Sequence, residues 1–137
     1  MAEWEKEQEQ RNAKAEEQYV KIREANDVPA IAKATKMPEG DIQQVKEHVF
    51  FKEHQLYDGY GRFPADYDIA VAWKRLATGQ PEERDILLMR HELLESQQEM
   101  RYNLSASEAH AIAKKVYDWE AALQDLFGEG GEPNGLL

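Results

Sequence analysis

The sequence contains no cysteine, which excludes disulfides, thiolate metal sites and cysteine nucleophiles. It also has few basic residues: 17 Lys and Arg against 27 Asp and Glu, for a net charge of -10. A chain this acidic is poorly suited to binding phosphates over its general surface. No apolar run approaches the ~20 residues of a membrane span, and the N-terminus is polar from Glu3 onward, unlike a signal peptide. We therefore expect no membrane insertion, no direct nucleic-acid binding, and a protein that is cytoplasmic or delivered with a larger assembly.

The length of 137 residues is that of one domain with a single core. We divide it into a polar N-terminal helix or linker (1–27), a helical bundle domain (28–127) and a disordered tail (128–137), because the tail is rich in glycine. The first segment is rich in good helix formers. Two interpretations remain open for it: an amphipathic helix whose C-terminal half packs on the domain, or a linker arm from an upstream carrier.

Apolar residues recur at helical spacing along most of the chain, and no stretch alternates with period two. The pattern predicts a short helix from Val28 and longer helices over 41–54, 64–78, 81–102 and 106–127, with 55–63 as a loop. Ser105 and Glu108 have the spacing of a capping box at the start of the last helix. The predicted fold is all-α: a compact bundle of five to six helices with a long N-terminal helix, a flexible C-terminal tail and essentially no sheet.

The segment 31–50 superficially resembles a helix-turn-helix motif. Its second helix has few Arg or Lys residues and acidic surroundings, which argues against DNA recognition. We interpret the segment as two helices packed on each other.

The motif HELLE (91–95) is the arrangement most suggestive of chemistry. His91 and Glu95 lie one turn apart on the same helical face, and an imidazole and a carboxylate are both acceptable zinc ligands. His110 is the first candidate for a third ligand, because the last two predicted helices should pack against each other, and His48 is the second. A divalent metal, most simply zinc, would fit this set. Glu92, next to His91, is the candidate general base, as in the related HExxH pattern.

A second interpretation of the motif needs no metal. A buried His91 hydrogen-bonded to Glu95, or to a neighbouring helix, satisfies both polar groups. On a helical wheel Glu92 faces solvent, which weakens its assignment as a base. The residues alone leave both interpretations open.

Four segments, taken in order, resemble a helical domain found at two positions in larger proteins: DIQQVKEHVFFKEH, FPADYDIAVAWKRL, DILLMRHELLES and SEAHAIAKKVYDW. One position is the C-terminal end of phage head-morphogenesis (minor capsid, MuF-like) proteins, and the other is the C-terminal effector of bacterial polymorphic toxins. The resemblance covers about residues 28–123 and implies a module attached to a carrier through its N-terminal helix. Its polar residues correspond here to His48, His54, His91, Glu92, Glu95 and His110, a set that fits a toxin-like hydrolase.

Two functions follow as expectations. The first is a phage- or toxin-associated effector domain with a metal-dependent hydrolytic site on the HExxE helix. The second is a non-enzymatic acidic interaction module, such as a phage structural domain or an inhibitor of a basic nucleic-acid-binding protein. In both cases we expect a protein partner, whether carrier, immunity protein or target.

Overall fold

A computed structural model describes residues 2–137 of the chain. Within that range it contains seven α-helices and one two-stranded antiparallel hairpin, and none of the helices is long and apolar enough to cross a membrane. The helices are α1 (Glu3–Glu24), α2 (Val28–Thr35), α3 (Glu39–Lys46), α4 (Tyr67–Ala77), α5 (Glu83–Tyr102), α6 (Ala106–Val116) and α7 (Trp119–Phe127); the strands are β1 (Glu53–Leu56) and β2 (Gly59–Arg62). The all-α prediction is confirmed.

The main core forms where α1, α2, α3 and α4 meet around Trp73, which is 1% exposed. α4 starts at Asp66, whose side chain accepts a hydrogen bond from the Ile69 backbone N–H at 3.0 Å, so the helix begins with a satisfied donor. Phe50 packs edge-on against Trp73 and against Tyr19 of α1. This core holds in position the part of the bundle that carries the polar cluster.

The C-terminal half of α1 belongs to the folded domain. Ala15, Tyr19 and Ile22 are buried, whereas residues 2–10 are exposed and Trp4 is 70% exposed. The helix therefore packs from about Ala15 onward, and its first turns extend into solvent.

The chain has essentially no sheet, as predicted, except at residues 53–62, where the end of the predicted helix 41–54 and the loop 55–63 are instead a short hairpin. Tyr57 and Asp58 connect the strands, and Gly59 follows with a φ of 134°, which glycine adopts without strain. α3 itself ends in a π-helical turn, Glu47–Phe51, that leads into the hairpin. A four-residue strand facing mostly solvent has too few positions for a period-two pattern to be recognised.

The glycine-rich C-terminal tail, which the sequence predicts to be disordered, makes polar contacts with three helices. Glu132 is only 2% exposed. Its buried carboxylate accepts hydrogen bonds from Arg75 at 2.7 Å and from Arg84 at 3.0 Å. Arg11 of α1 donates to the Glu132 carbonyl oxygen at 2.9 Å. The tail therefore ties α1, α4 and α5 together through polar contacts.

The last predicted helix is two helices. The capping box of Ser105 and Glu108 is confirmed at the start of α6, but the helix stops at Val116 and a new one begins after Asp118. The Asp118 side chain accepts from the Ala121 N–H, which would otherwise donate to the Tyr117 carbonyl in a continuous helix. The Tyr117 carbonyl oxygen accepts from the Trp119 N–H at 3.1 Å and keeps a second lone pair for another residue.

Candidate metal centre

A stripe of polar side chains runs along the buried side of α5. Glu95 lies four residues after His91, three after Glu92 and four before Glu99, so it shares a helical face with each of them. His91, Glu92 and Glu95 are between 3% and 8% exposed. The other three histidines of the chain come to the same stripe: His48 from the π-helical turn, His54 from β1 and His110 from α6.

Three atoms form a nearly equilateral triangle at one end of this stripe. His91 Nε2 lies 3.1 Å from Glu95 Oε2 and 3.3 Å from His110 Nδ1, and the third side, from His110 Nδ1 to Glu95 Oε2, is 3.2 Å. Ligand bonds of ~2.0–2.1 Å around a tetrahedral zinc ion place neighbouring ligand atoms roughly 3.3 Å apart. The triangle therefore has the dimensions of one face of a zinc coordination sphere.

The remaining ring nitrogens of these two histidines are already hydrogen-bonded. His91 Nδ1 lies 2.9 Å from the Tyr117 carbonyl oxygen, and His110 Nε2 lies 2.9 Å from Glu120 Oε1. Both oxygens accept only, so each of these nitrogens carries the proton and donates. In the neutral histidines, His91 Nε2 and His110 Nδ1 are then bare acceptors. Metal-binding histidines typically have their second nitrogen held in this way.

His48 approaches the same carboxylate from the other side. Its Nε2 lies 3.2 Å from Glu95 Oε1 and 3.5 Å from Glu92 Oε2. Its Nδ1 lies 3.6 Å from Glu99 Oε2, a buried oxygen without a hydrogen-bond partner in residues 2–137. Both oxygens of Glu95 thus face imidazole nitrogens: Oε2 faces His91 and His110, and Oε1 faces His48.

His54 forms a supporting contact behind His48. Its Nε2 donates to the His48 carbonyl oxygen at 2.7 Å, and its Nδ1 lies 2.8 Å from Glu99 Oε1. The ring stacks on Phe63 with 3.8 Å between centroids. A separation of 2.8 Å is that of a charge-assisted hydrogen bond, and is shorter than the distance expected between two ligands of one zinc ion. We therefore assign His54 and Glu99 to the support of His48.

The environment separates the protonation of Glu95 from that of Glu92. Burial would raise the pKa of Glu95, but hydrogen bonds from His48 and His91 outweigh it and bring the pKa to about 2. Burial would lower the pKa of His91, but the contacts with Glu95 and the Tyr117 carbonyl raise it overall. Without a bound cation, these contacts favour a proton on His91 and a negative charge on Glu95.

Glu92 does not face solvent, so the helical-wheel prediction for this residue is wrong. Its side chain is buried because α5 is covered both by α6 and by α3 with the π-helical turn. Burial raises its pKa well above the ordinary value, and the nearby charge of Glu95 raises it further. Glu92 is therefore a group that holds a proton, or takes up a cation, in the interior.

A cavity of about 340 Å³ opens beside the triangle and reaches Glu92, Glu95, His91 and His110. The hydroxyl of Tyr19 and the indole Nε1 of Trp119, two of its lining residues, are buried without hydrogen-bond partners in residues 2–137. Phe63, Pro64 and Ile69 contribute apolar wall. The cavity thus combines a His and Glu cluster with an apolar wall, which is the composition of a small ligand site.

The structure brings together every residue that the sequence singled out: His91, Glu95, His110, His48 and Glu92. Sequence reasoning assigned no specific role to His54, Glu99, Glu120, Tyr19 and Trp119. The spacing of Glu99 four residues after Glu95 was a usable signal, because it extends the same helical stripe. Nothing local marks Tyr19 or Trp119, since their position beside α5 depends on how distant helices pack.

The chain matches no protein-family model, no curated protein and no solved structure significantly. The resemblance to phage head-morphogenesis and toxin domains therefore stays a prediction, and the chemistry of the site rests on its geometry.

Proposed function

We propose that this protein is a metal-dependent hydrolase whose divalent ion, most simply zinc, is bound by His91, Glu95 and His110. One observation carries the proposal. Two imidazole nitrogens, which are bare when the histidines are neutral, and a carboxylate oxygen face one another at 3.1–3.3 Å, while the second nitrogen of each histidine is hydrogen-bonded elsewhere. Three acceptors at such distances repel unless protons or a cation lie between them.

The fourth coordination position would face the cavity, where a water molecule can bind. Zinc held by three protein ligands lowers the pKa of a bound water to roughly 7 and so supplies a hydroxide near neutral pH. Glu92 lines the same cavity and has a raised pKa, so it is the nearest buried group able to exchange a proton with that water or with a leaving group.

The charge of the cavity favours a neutral or positively charged substrate over a phosphodiester. Among residues 2–137, no Lys or Arg lines it, whereas Asp66, Glu92 and Glu120 do. Sites that transfer phosphoryl groups place cationic side chains or additional metal ions around the phosphate oxygens. An amide or peptide bond, whose single neutral carbonyl oxygen an ion can polarise, suits a cavity without cationic side chains better.

The exposed start of α1 suits attachment to a carrier. Residues 2–10 lie outside the core, and Trp4 presents an apolar ring to solvent. We propose that the domain is an effector displayed or delivered by a phage or polymorphic-toxin protein, connected through this helix. A carrier, immunity or target protein would then be its partner.

The experiment is a cleavage assay on chelator-treated protein with and without added zinc, using a fluorogenic peptide library and, separately, plasmid DNA. We expect zinc-dependent peptide cleavage that Glu95→Gln abolishes and Glu83→Gln, an exposed change on the same helix, leaves unaffected. Cleavage of DNA alone would overturn the substrate assignment. Failure of zinc to bind or to support any cleavage would overturn the hydrolase, and would favour the acidic interaction module in which His91 and Glu95 only pair in the core.

A further inference from the structure

The second oxygen of Glu95 faces a further set of ligand atoms that the proposed zinc site does not use. Glu95 Oε1 lies 3.2 Å from His48 Nε2, which is 3.5 Å from Glu92 Oε2. His48 is 1% exposed, and Glu92 and Glu95 are also buried. The three ligand atoms lie within 4.8 Å of one another, which a single ion can bridge.

These buried carboxylates lack ordinary cationic partners. Among residues 2–137, neither Lys nor Arg forms an ion pair with Glu92, Glu95 or Glu99, and their ion pairs are made with histidines. A carboxylate removed from water must be protonated, paired or bound to a metal. Positive charge in this part of the interior must therefore come from protons on these histidines or from a bound cation.

The orientation of His48 indicates where a cation would bind. If Nδ1 carries the ring proton, it points toward Glu99 Oε2, 3.6 Å away, a buried oxygen with no other partner in the described residues. Glu99 is itself fixed by His54 at 2.8 Å. His48 Nε2 is then bare and faces two carboxylate oxygens, as His91 Nε2 and His110 Nδ1 do on the other side of Glu95.

We propose that the protein binds a second divalent ion between His48, Glu92 and Glu95, so that the Glu95 carboxylate bridges two ions, one on each oxygen. The inference rests on the proposed function for the first ion and extends it to a two-metal centre, in which bridged ions are typically ~3.5–4 Å apart. With the second ion bound, Glu92 would act as its ligand instead of exchanging protons, and the two ions together would supply an activated water. His54 and Glu99 are positioning residues that orient His48.

The test is the metal content of the full chain after equilibration with zinc and removal of excess metal. Wild-type protein should hold two ions per chain, Glu92→Gln should hold one, and the control Glu83→Gln should hold two. Substitution with Mn²⁺ gives a second measurement that does not depend on any variant: two ions bridged by a carboxylate should give an exchange-coupled paramagnetic resonance spectrum.

The outcomes separate the two proposals. One ion per chain in both the wild type and Glu92→Gln would overturn the second site and leave the first intact. Two ions in Glu92→Gln, or two uncoupled Mn²⁺ ions in the wild type, would overturn the bridged centre. No bound ion in the wild type would overturn both.

Discussion

His91 Nδ1 donates a hydrogen bond to the carbonyl oxygen of Tyr117 at 2.9 Å, at the point where α6 ends and α7 begins. The Tyr117 carbonyl can accept this bond because Asp118 caps α7 and takes the Ala121 N–H. The break between α6 and α7 therefore helps to orient the His91 ring so that its Nε2 faces the proposed metal site. A continuous helix would have used that carbonyl internally.

The support of His110 by Glu120 can be tested through metal affinity. Glu120→Gln weakens the acceptor of the His110 Nε2 proton, and we expect zinc to bind about tenfold more weakly, because partners of metal-binding histidines typically have effects of this size. Calorimetric titration with zinc measures the change. Asp125→Asn, an exposed substitution on α7, is the matched control. Equal affinity in the two variants would show that Glu120 does not orient His110.

The buried ion pair of Asp27 and Lys46 should contribute strongly to stability. Asp27 accepts from Lys46 Nζ at 2.7 Å and from Trp73 Nε1 at 2.9 Å, rather than capping α2. Asp27→Ala leaves a buried ammonium without its carboxylate, so we expect a loss of about 3–5 kcal/mol in the free energy of unfolding in urea. Adding Lys46→Met should recover part of it. Independent, additive effects of the two substitutions would contradict the pairing.

The contacts of Glu132 should make the protein less stable in acid. Burial alone would raise the pKa of Glu132, but hydrogen bonds from Arg75 and Arg84 outweigh it and lower the pKa below its ordinary value. The carboxylate therefore stabilises the fold above the unfolded-state pKa of roughly 4.3, and this contribution is lost as the pH falls through the lower folded-state value.

Glu132→Gln should accordingly cost about 2 kcal/mol at neutral pH and reduce the loss of stability on acidification. Thermal or urea unfolding across the range from neutral to acidic pH measures both effects. Glu129→Gln, exposed in the same tail, should match the wild type. If the stability of Glu132→Gln changed with pH in parallel with that of the wild type, Glu132 would not be a cause of the acid sensitivity.

Adjacent glycines in the tail give a sharp test of its packing. Gly131 has a φ of 69°, and a Cβ there would lie 2.5 Å from Asp68 Oδ2, whereas a Cβ on Gly130 meets nothing within 4 Å. Gly131→Ala should lower the free energy of unfolding by about 1–3 kcal/mol through backbone strain and displacement of Asp68. Gly130→Ala should have little effect. Equal stability of the two variants would mean that the tail is not held against α4.

The sequence predicted the helices well because their apolar positions recur with a regular period and because caps such as Ser105 mark their starts. Features that depend on contacts between distant segments could not be predicted in this way. The tail is held by Arg75 and Arg84, which no local pattern reveals. The hairpin is too short and too exposed to alternate clearly.

The same distinction applies to the candidate site. His91, Glu95 and His110 could be grouped from helical spacing and a short loop, and the structure brings them to within 3.3 Å of one another. A helical wheel places Glu92 in solvent because it allows one buried face, whereas α5 is covered on more than one side. The contribution of His48 depends on the π-helical turn, which the sequence does not mark.

The most direct test is a crystal structure of the full chain grown with zinc, with anomalous diffraction measured on both sides of the zinc absorption edge. The account predicts a strong anomalous peak bounded by His91 Nε2, Glu95 Oε2 and His110 Nδ1, and its absence from crystals of Glu95→Gln. A zinc-saturated crystal with no peak among these three atoms, and with His91 bonded only to Glu95 and Tyr117, would contradict the account.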